Sequence, residues 1–270
     1  MKLRIKLRSK NETADLLRSA ISTLRTKIPV VLRLYSNTPI EAILSPSQLS
    51  KPLIEWNTLE SIKNSANKLK TKKLMVDNDI PTAEYWEVAD FIENKEQIFE
   101  EHKNIIAKKI NGSKGIGMKL FHSIEEYNEW VSNEGPNLKE YFFERYYNYN
   151  REYRIHLFNG EMIYTNRKML KEDAEERWYR NDSNSVWYLE TNPLFDKPVN
   201  FDKIVEDCKK LQELTGLNFS SFDIRIQSSK YKDPKYIILE TNSGSSMGEG
   251  TALAYKNAIE KYLIDNNLLS

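Results

Sequence analysis

Charged and apolar residues alternate through Lys2, Leu3, Arg4, Ile5, Lys6, Leu7 and Arg8, a period of two that predicts a strand over Lys2–Arg8. Leu16, Leu17, Ala20, Ile21 and Leu24 then recur at helical spacing within Thr13–Lys27, and Pro29 stops the pattern. Pro29–Tyr35 is apolar on both faces, as a buried strand requires. This β-α-β opening gives way to an irregular stretch punctuated by Pro and Ser, Ser36–Leu53. A helix is expected from Ser61 to about Val76. Strands are expected at Glu84–Val88, Asn104–Ile110 and Met118–His122, with helices at Lys95–His102 and Ile124–Ser132. Tyr141–Tyr147 reads as an aromatic strand.

The second half is the more regular. Arg151–Phe158 alternates, with Glu152, Arg154 and His156 on one face and Tyr153, Ile155 and Leu157 on the other. Asn159-Gly160 is a two-residue hairpin turn returning through Glu161–Leu170. Lys171–Pro198 is polar and irregular, and loops of that length are often functional lids. Asn200–Gly216 is an amphipathic helix with Gly216 as its C-cap, and Thr251–Asp265 is the last helix.

Two stretches carry candidate chemistry. Between Phe222 and Met247 two short strands flank a polar loop. Strict alternation places Tyr236, Ile238, Glu240 and Asn242 on one side, and separates Asp223 and Arg225 from Phe222, Ile224 and Ile226. Asp223, Glu240 and Asn242 can then converge as two carboxylates and an amide oxygen, a donor set suited to Mg²⁺. An ordinary hairpin with solvated acids reads the same way from these residues alone. The other stretch, Asn111-Gly112-Ser113-Lys114-Gly115-Ile116-Gly117, is a glycine-rich turn whose backbone N–H groups can close over an anion. It leads into a strand, whereas the P-loop and the dinucleotide fingerprint lead into a helix. Read alone, it is equally a surface hairpin.

Composition narrows the classes. A net charge of +1 supplies no general field for nucleic acid. Cys208, the single cysteine, excludes an internal disulfide and reads as a packing residue, and the chain carries no apolar run long enough to span a membrane. The N-terminal alternation is a strand rather than a signal peptide, so a cytoplasmic location is expected. His102, His122 and His156 form no helical ligand pair, which disfavours zinc.

The segments NKLKTKKLMVDNDIPT, IIAKKINGSKGIGM, FFERYYNYNREYRI, NRKML, FSSFDIRI and YIILETNSGSSMGEG occur in an order that resembles the ATP-grasp superfamily, and specifically the RimK-like carboxylate–amine ligases. The matching stretch runs from about Asn67 to Tyr255. The resemblance implies a mixed α+β and α/β architecture, the ATP-grasp fold. A short N-terminal α/β lobe (1–60) would precede a central subdomain with the glycine flap (61–140) and a C-terminal subdomain with the metal site (141–270).

Residue by residue, the resemblance implies that Lys68 and Lys108 hold the nucleotide phosphates, with Lys72 as a weaker substitute for Lys68. Gly112, Ser113, Gly115 and Gly117 would belong to the flap over the β- and γ-phosphates. Glu144 and the backbone around Tyr146 would form the adenine hinge, and Glu152 would bind the ribose hydroxyls. Arg154 and Arg167 would serve the transferred phosphate and an acyl phosphate. Asp223, Glu240 and Asn242 would ligate two Mg²⁺ ions, with Mn²⁺ as a substitute. The family's Lys-Pro at the flap strand is Lys108-Lys109 here, and its Asn-x-x-Pro-Gly is Asn242-Ser243-Gly244-Ser245.

The implied reaction joins a carboxylate to an amine at the expense of ATP, chemistry that asks for positioning and charge neutralisation rather than a covalent nucleophile. Small-molecule or peptide carboxylates and amines are the implied substrates, a macromolecular acceptor stays open, and a homo-oligomer fits the family. Arg177, Trp178, Arg180 and Trp187 are candidate contacts of an acceptor pocket. The alternatives are an ATP-grasp kinase acting on a hydroxyl and a non-catalytic nucleotide-binding module.

Overall fold

The computed structural model describes residues 2–9, 14–113, 115–181 and 183–270. The expected helix start at Thr13 and the flap residue Lys114 lie outside them. Near the N-terminus, the expected first strand is split at Ile5 into β1 (Leu3–Arg4) and β2 (Lys6–Ser9). Helix α1 (Ala14–Ala20) crosses to β3 (Arg25–Thr26), which pairs antiparallel with β1, and to β4 (Val30–Leu34), which runs parallel to β2. The stretch read as irregular contains a short helix, α2 (Pro46–Leu49), and leads to β5 (Ile54–Trp56), which extends the parallel sheet in the order β2-β4-β5.

Helix α3 (Leu59–Ala66) and helix α4 (Lys68–Asp77) replace the single helix expected over this stretch. Asn67 takes an extended conformation (φ −87°, ψ 101°), and its side chain accepts the Lys70 N–H at 2.9 Å. Asn is a poor interior helix residue and a good N-cap, which accounts for the break. The next four strands form one antiparallel sheet in the order β6-β9-β7-β8. They are β6 (Tyr85–Glu87), β7 (Ile105–Lys109), β8 (Lys119–Phe121) and β9 (Tyr141–Arg145), with helices α5 (Val88–Glu101) and α6 (Ile124–Glu134) between them. An aromatic core backs this sheet, with Phe91 stacked on Phe143 at 3.7 Å between ring centroids.

The largest sheet has the order β12-β11-β10-β13-β14. It comprises β10 (Arg151–Phe158), β11 (Glu161–Leu170), β12 (Ser185–Leu189), β13 (Phe219–Ile226) and β14 (Tyr236–Asn242). Asn159 and Gly160, at φ 48° and 80°, make the tight turn between β10 and β11. Strand β12 lies inside the stretch read as irregular and pairs with β11 from Leu170↔Ser185 to Asn166↔Leu189. Helix α7 (Phe201–Thr215) ends at Gly216 in the left-handed region and covers one face of this sheet. There Ile204, Cys208 and Leu211 pack on Tyr153, Ile155, Phe222 and Ile224. Met75 of α4 and Ile80 join that core, so α4 packs on the large sheet.

The last helix, α8 (Glu249–Asp265), shares a core with the N-terminal lobe. Leu17, Ile21, Leu32 and Leu34 pack with Ala252, Tyr255, Ile259 and Leu263. The chain end is stitched in as well, with Lys27 N donating to Leu268 O at 3.0 Å. The N-terminal lobe is thereby packed onto the end of the large sheet. Among the described residues no helix is long and apolar enough to cross a membrane.

Candidate functional site

The face of the large sheet opposite α7 carries Glu152, Arg154 and His156 on β10 and Asp223 and Arg225 on β13, paired as Glu152↔Arg225 and Arg154↔Asp223. Glu240 joins that face through an irregularity that strict alternation does not foresee. Asp223 pairs with Glu240, yet the adjacent Ile224 pairs with Ile238, so Leu239 is the extra residue of a β-bulge. Ile238 therefore points into the α7 core with Ile224, and Glu240 points to the other side with Asp223. The expectation that Ile238 and Glu240 share a face is corrected. The convergence of Asp223, Glu240 and Asn242 comes from the bulge.

Arg154 grips Asp223 with two parallel bonds, Nε to Oδ1 at 2.6 Å and Nη2 to Oδ2 at 2.9 Å. Its guanidinium also lies 4.8 Å from the Trp187 ring centre. Lys68 Nζ stands 2.5 Å from Glu240 Oε2, and the Asn242 amide donates to Glu240 Oε1 at 3.4 Å. Burial alone would raise the Glu240 pKa, but Lys68, then Lys108 and Arg154, outweigh it and hold it at about 2. The break at Asn67 puts Lys68 at the first position of α4, where its backbone N–H also bonds Ile110 O at 3.0 Å. Lys68 thus joins the end of β7 to the metal-type cluster on β14.

A second buried group sits beside it. Glu144 on β9 accepts from Lys108 at 2.6 Å through Oε1 and lies 2.7 Å from Lys72 Nζ through Oε2. Lys72 and Glu144 are each only 1% exposed. Burial favours the protonated acid, but Lys108 and Lys72 prevail and keep Glu144 below the ordinary carboxylate range. For Lys72, burial dominates and lowers its pKa to about 8, with Glu144 opposing. The Glu144 side chain therefore pairs with both lysines. The Tyr146 N–H is likewise engaged, by Asn104 O at 2.9 Å.

Glu152 is also occupied. Arg225 Nε at 3.0 Å, Arg180 Nη1 at 3.3 Å and Lys168 Nζ at 4.0 Å surround its buried carboxylate. Arg225 and Arg180 both bond Oε2, while Oε1 has, among the described residues, only Lys168 at 4.0 Å. The same cations hold the segment after β11. Arg225 donates to Trp178 O at 2.8 Å and Lys168 to Arg180 O at 3.0 Å. Of the four side chains expected in an acceptor pocket, Trp187 floors Arg154 and Lys168, Arg180 binds Glu152, Trp178 lies beside the Tyr179 ring, and Arg177, among the described residues, bonds carbonyls of its own segment.

Arg167 departs from expectation. It pairs with Tyr153, on the α7 side of the sheet, and donates to Leu194 O at 2.7 Å. Its neighbour Lys168 pairs with Glu152 and is the β11 cation that reaches the site. A one-residue step along a strand reverses the face.

The glycine turn joins β7 to β8. Gly115 and Gly117 have φ of 74° and 76°, and a Cβ on Gly117 would meet Lys109 Cε at 2.9 Å. Tyr179 lies against Gly115, and a cleft of about 430 Å³ opens there, lined by Gly115, Met118, Leu120, His122, Trp178 and Tyr179. Ser113 O accepts the Ile116 N–H at 3.1 Å, and Gly112 sits over Lys109.

Sequence reasoning missed Tyr35, whose hydroxyl donates to Asn242 Oδ1 at 2.7 Å, and the roles of Arg225 and Lys168. Alternation placed Arg225 on the correct face, and that was a usable signal. Tyr35 offered none. Among the described residues no three His, Cys, Asp or Glu side chains assemble as a metal cluster. A divalent ion would be held by the carboxylates of Asp223 and Glu240, the Asn242 amide oxygen and phosphate oxygens, a set that fits Mg²⁺.

No family model matches the sequence, and no curated protein matches it. Solved structures do. The ATP-grasp ligase PsnB, complexed with a minimal precursor, is 13% identical, with a TM-score of 0.64 over 95% of this chain and 98% of that one. D-alanine–D-alanine ligase from Bacillus anthracis is 12% identical, with a TM-score of 0.62 over 97% and 93%. The macrocyclase MdnC from Microcystis aeruginosa MRC, bound with precursor peptide MdnA, is 12% identical, with a TM-score of 0.61 over 96% and 100%. With these three architectures matched over nearly the whole of each chain, the protein has the ATP-grasp fold.

Proposed function

We propose that this protein is an ATP-dependent carboxylate–amine ligase of the RimK-like type. One observation carries the reading. Asp223, Glu240 and Asn242 are gathered on one sheet face, directly against Lys68 and Arg154 and within the field of Lys108. Without ligands, the carboxylates and cations neutralise one another. With Mg-ATP bound, the carboxylates would turn to the cation and Lys68, Lys108 and Arg154 to the phosphates, so each charge keeps a partner in both states.

The substrate carboxylate would attack the γ-phosphorus with ADP leaving. The amine nitrogen would then attack the acyl carbon, inorganic phosphate would leave with the C–O bond, and the amine would lose a proton. When bound, Mg²⁺ (two ions, with Mn²⁺ as a substitute) would offset phosphate charge during the first step. The chain's own contribution is to orient the phosphates with Lys68 and Lys108 and to balance developing charge with Arg154. The glycine turn at Gly112, Ser113, Gly115 and Gly117 would exclude water. The similar structures of PsnB and MdnC hold a minimal precursor and a precursor peptide, which supports peptides among the substrates to be tried.

The test is release of ADP and phosphate from Mg-ATP in the presence of pooled amino acids and peptides, with Glu240→Ala run in parallel. Turnover that requires both the pool and Glu240 supports the ligase. A stable phosphoester product would favour a kinase, and nucleotide binding without consumption a binding module. Absence of nucleotide binding would reject the assignment.

A further inference from the structure

Tyr35 follows β4 immediately and is the one N-terminal-lobe side chain seen bonded to the metal-type trio among the described residues. Its φ is +55°, a region an aromatic residue rarely enters, so the surrounding structure must impose it. The imposing contacts are visible. The buried Asn57 side chain donates to Arg33 O at 3.1 Å and to Ser243 O at 3.2 Å, clamping the end of β4 to the loop after Asn242. On the other side Gly244 lets the two segments touch, because a Cβ there would meet Leu34 Cβ at 2.7 Å and Tyr35 Cδ2 at 3.1 Å. Arg33 and Leu34, which lead into Tyr35, and Ser243 and Gly244, which follow Asn242, are therefore held in fixed relation.

We propose that Tyr35 is a positioning residue for the divalent-cation site, orienting the Asn242 amide so that Oδ1 faces the ion. The inference rests on the ligase reading above. An Asn amide has nearly the same shape in its two flipped orientations, but only its oxygen can ligate a cation. Tyr35 donates to Oδ1 at 2.7 Å, using one of that oxygen's two lone pairs and leaving the other for the ion. The Asn242 Nδ2 donates to Glu240 Oε1 at 3.4 Å, so the two contacts select the same orientation. In the flipped state the amide oxygen would face the Glu240 carboxylate. Partners that orient a ligand commonly govern metal affinity. The N-terminal lobe is in this way coupled to the metal site through one hydroxyl.

The experiment measures Mn²⁺ affinity by electron paramagnetic resonance at saturating ADP, and ADP affinity in EDTA, for wild type and Tyr35→Phe. Tyr35→Phe is expected to weaken Mn²⁺ binding about 10–100-fold and to leave metal-free ADP affinity unchanged. The same substitution in the Asn242→Asp background separates positioning from general packing. A carboxylate offers an oxygen in either orientation, so the further loss there should be under about threefold, whereas an uncoupled pair would lose as much in both backgrounds. If wild type binds no Mn²⁺, the metal reading itself fails. If wild type binds and Tyr35→Phe binds equally, or if Tyr35→Phe costs the same in both backgrounds, the positioning role is overturned.

Discussion

Asp223 and Glu240 stand directly opposite each other across the β13–β14 ladder, while the neighbouring pair, Ile224 and Ile238, faces the α7 core. The extra residue Leu239 makes both true. Deleting Leu239 would make Ile238 and Glu240 consecutive in a regular ladder, which keeps them on opposite faces and leaves Glu240 opposite Asp223 and beside Lys68. The deletion should therefore keep Mn²⁺ binding, whereas Glu240→Ala removes a carboxylate ligand and its half-buried ion pair with Lys68 and should abolish it. Leu239→Ala keeps the bulge and should retain binding. Loss of Mn²⁺ binding in a folded deletion variant would show that Glu240 does not keep its place opposite Asp223 when the ladder is regular.

Arg154 and Arg167 belong to adjacent strands but to opposite faces of one sheet. Arg154→Met should lower ATP consumption by about 10²–10³-fold, the usual loss for one charge-stabilising group. Arg167→Met leaves the Asp223 face intact and should stay within about twofold of wild type, whereas Lys168→Met releases one of the three cations around Glu152 and should raise KM for ATP. Steady-state kinetics on folded variants decides the order. A large loss in Arg167→Met alone would place the site on the other face.

Lys72, Glu144 and Lys108 form a buried triad with one acid between two bases. Glu144→Gln leaves both lysines without a counter-charge and should destabilise the protein by about 3–5 kcal/mol. Adding Lys72→Met removes the more buried cation and should recover part of that loss. Urea midpoints of the single and double variants measure the recovery. Additive losses would show that the triad is not a coupled unit.

His156 is buried beside Arg154, and burial, then that cation, lowers its pKa to about 3. The Tyr255 hydroxyl donates to Ser220 O at 3.0 Å, so the ring donates from Nδ1 to the tyrosine oxygen at 3.1 Å and is neutral. Below the ordinary histidine pKa of 6.5 the unfolded chain takes up a proton that the folded chain refuses. Stability from this group is therefore full above pH 6.5 and falls as pH drops towards 3, by about 1.4 kcal/mol per pH unit. Urea midpoints between pH 8 and 5 should show the fall in wild type and a flatter profile in His156→Gln. Parallel profiles would mean that His156 protonates within the fold.

Local periodicity was enough to read much of this protein. Alternation along Arg151–Phe158 and Phe222–Ile226 sorted Glu152, Arg154, His156, Asp223 and Arg225 onto the face they occupy, because side-chain direction in a regular strand depends only on the residue count. The ordered segments from Asn67 to Tyr255 were enough to anticipate the ATP-grasp fold. Tertiary structure decided the rest, wherever a partner strand or a distant segment sets the geometry. The bulge at Leu239 exists only in register with β13. The face taken by Arg167 follows from its pairing with Tyr153, and β5 and β12 are strands because β4 and β11 supply their hydrogen bonds. The contact between Tyr35 and Asn242 joins residues 207 positions apart, a distance that no local pattern encodes and that the Asn57 clamp and the Gly244 approach bring down to one hydrogen bond.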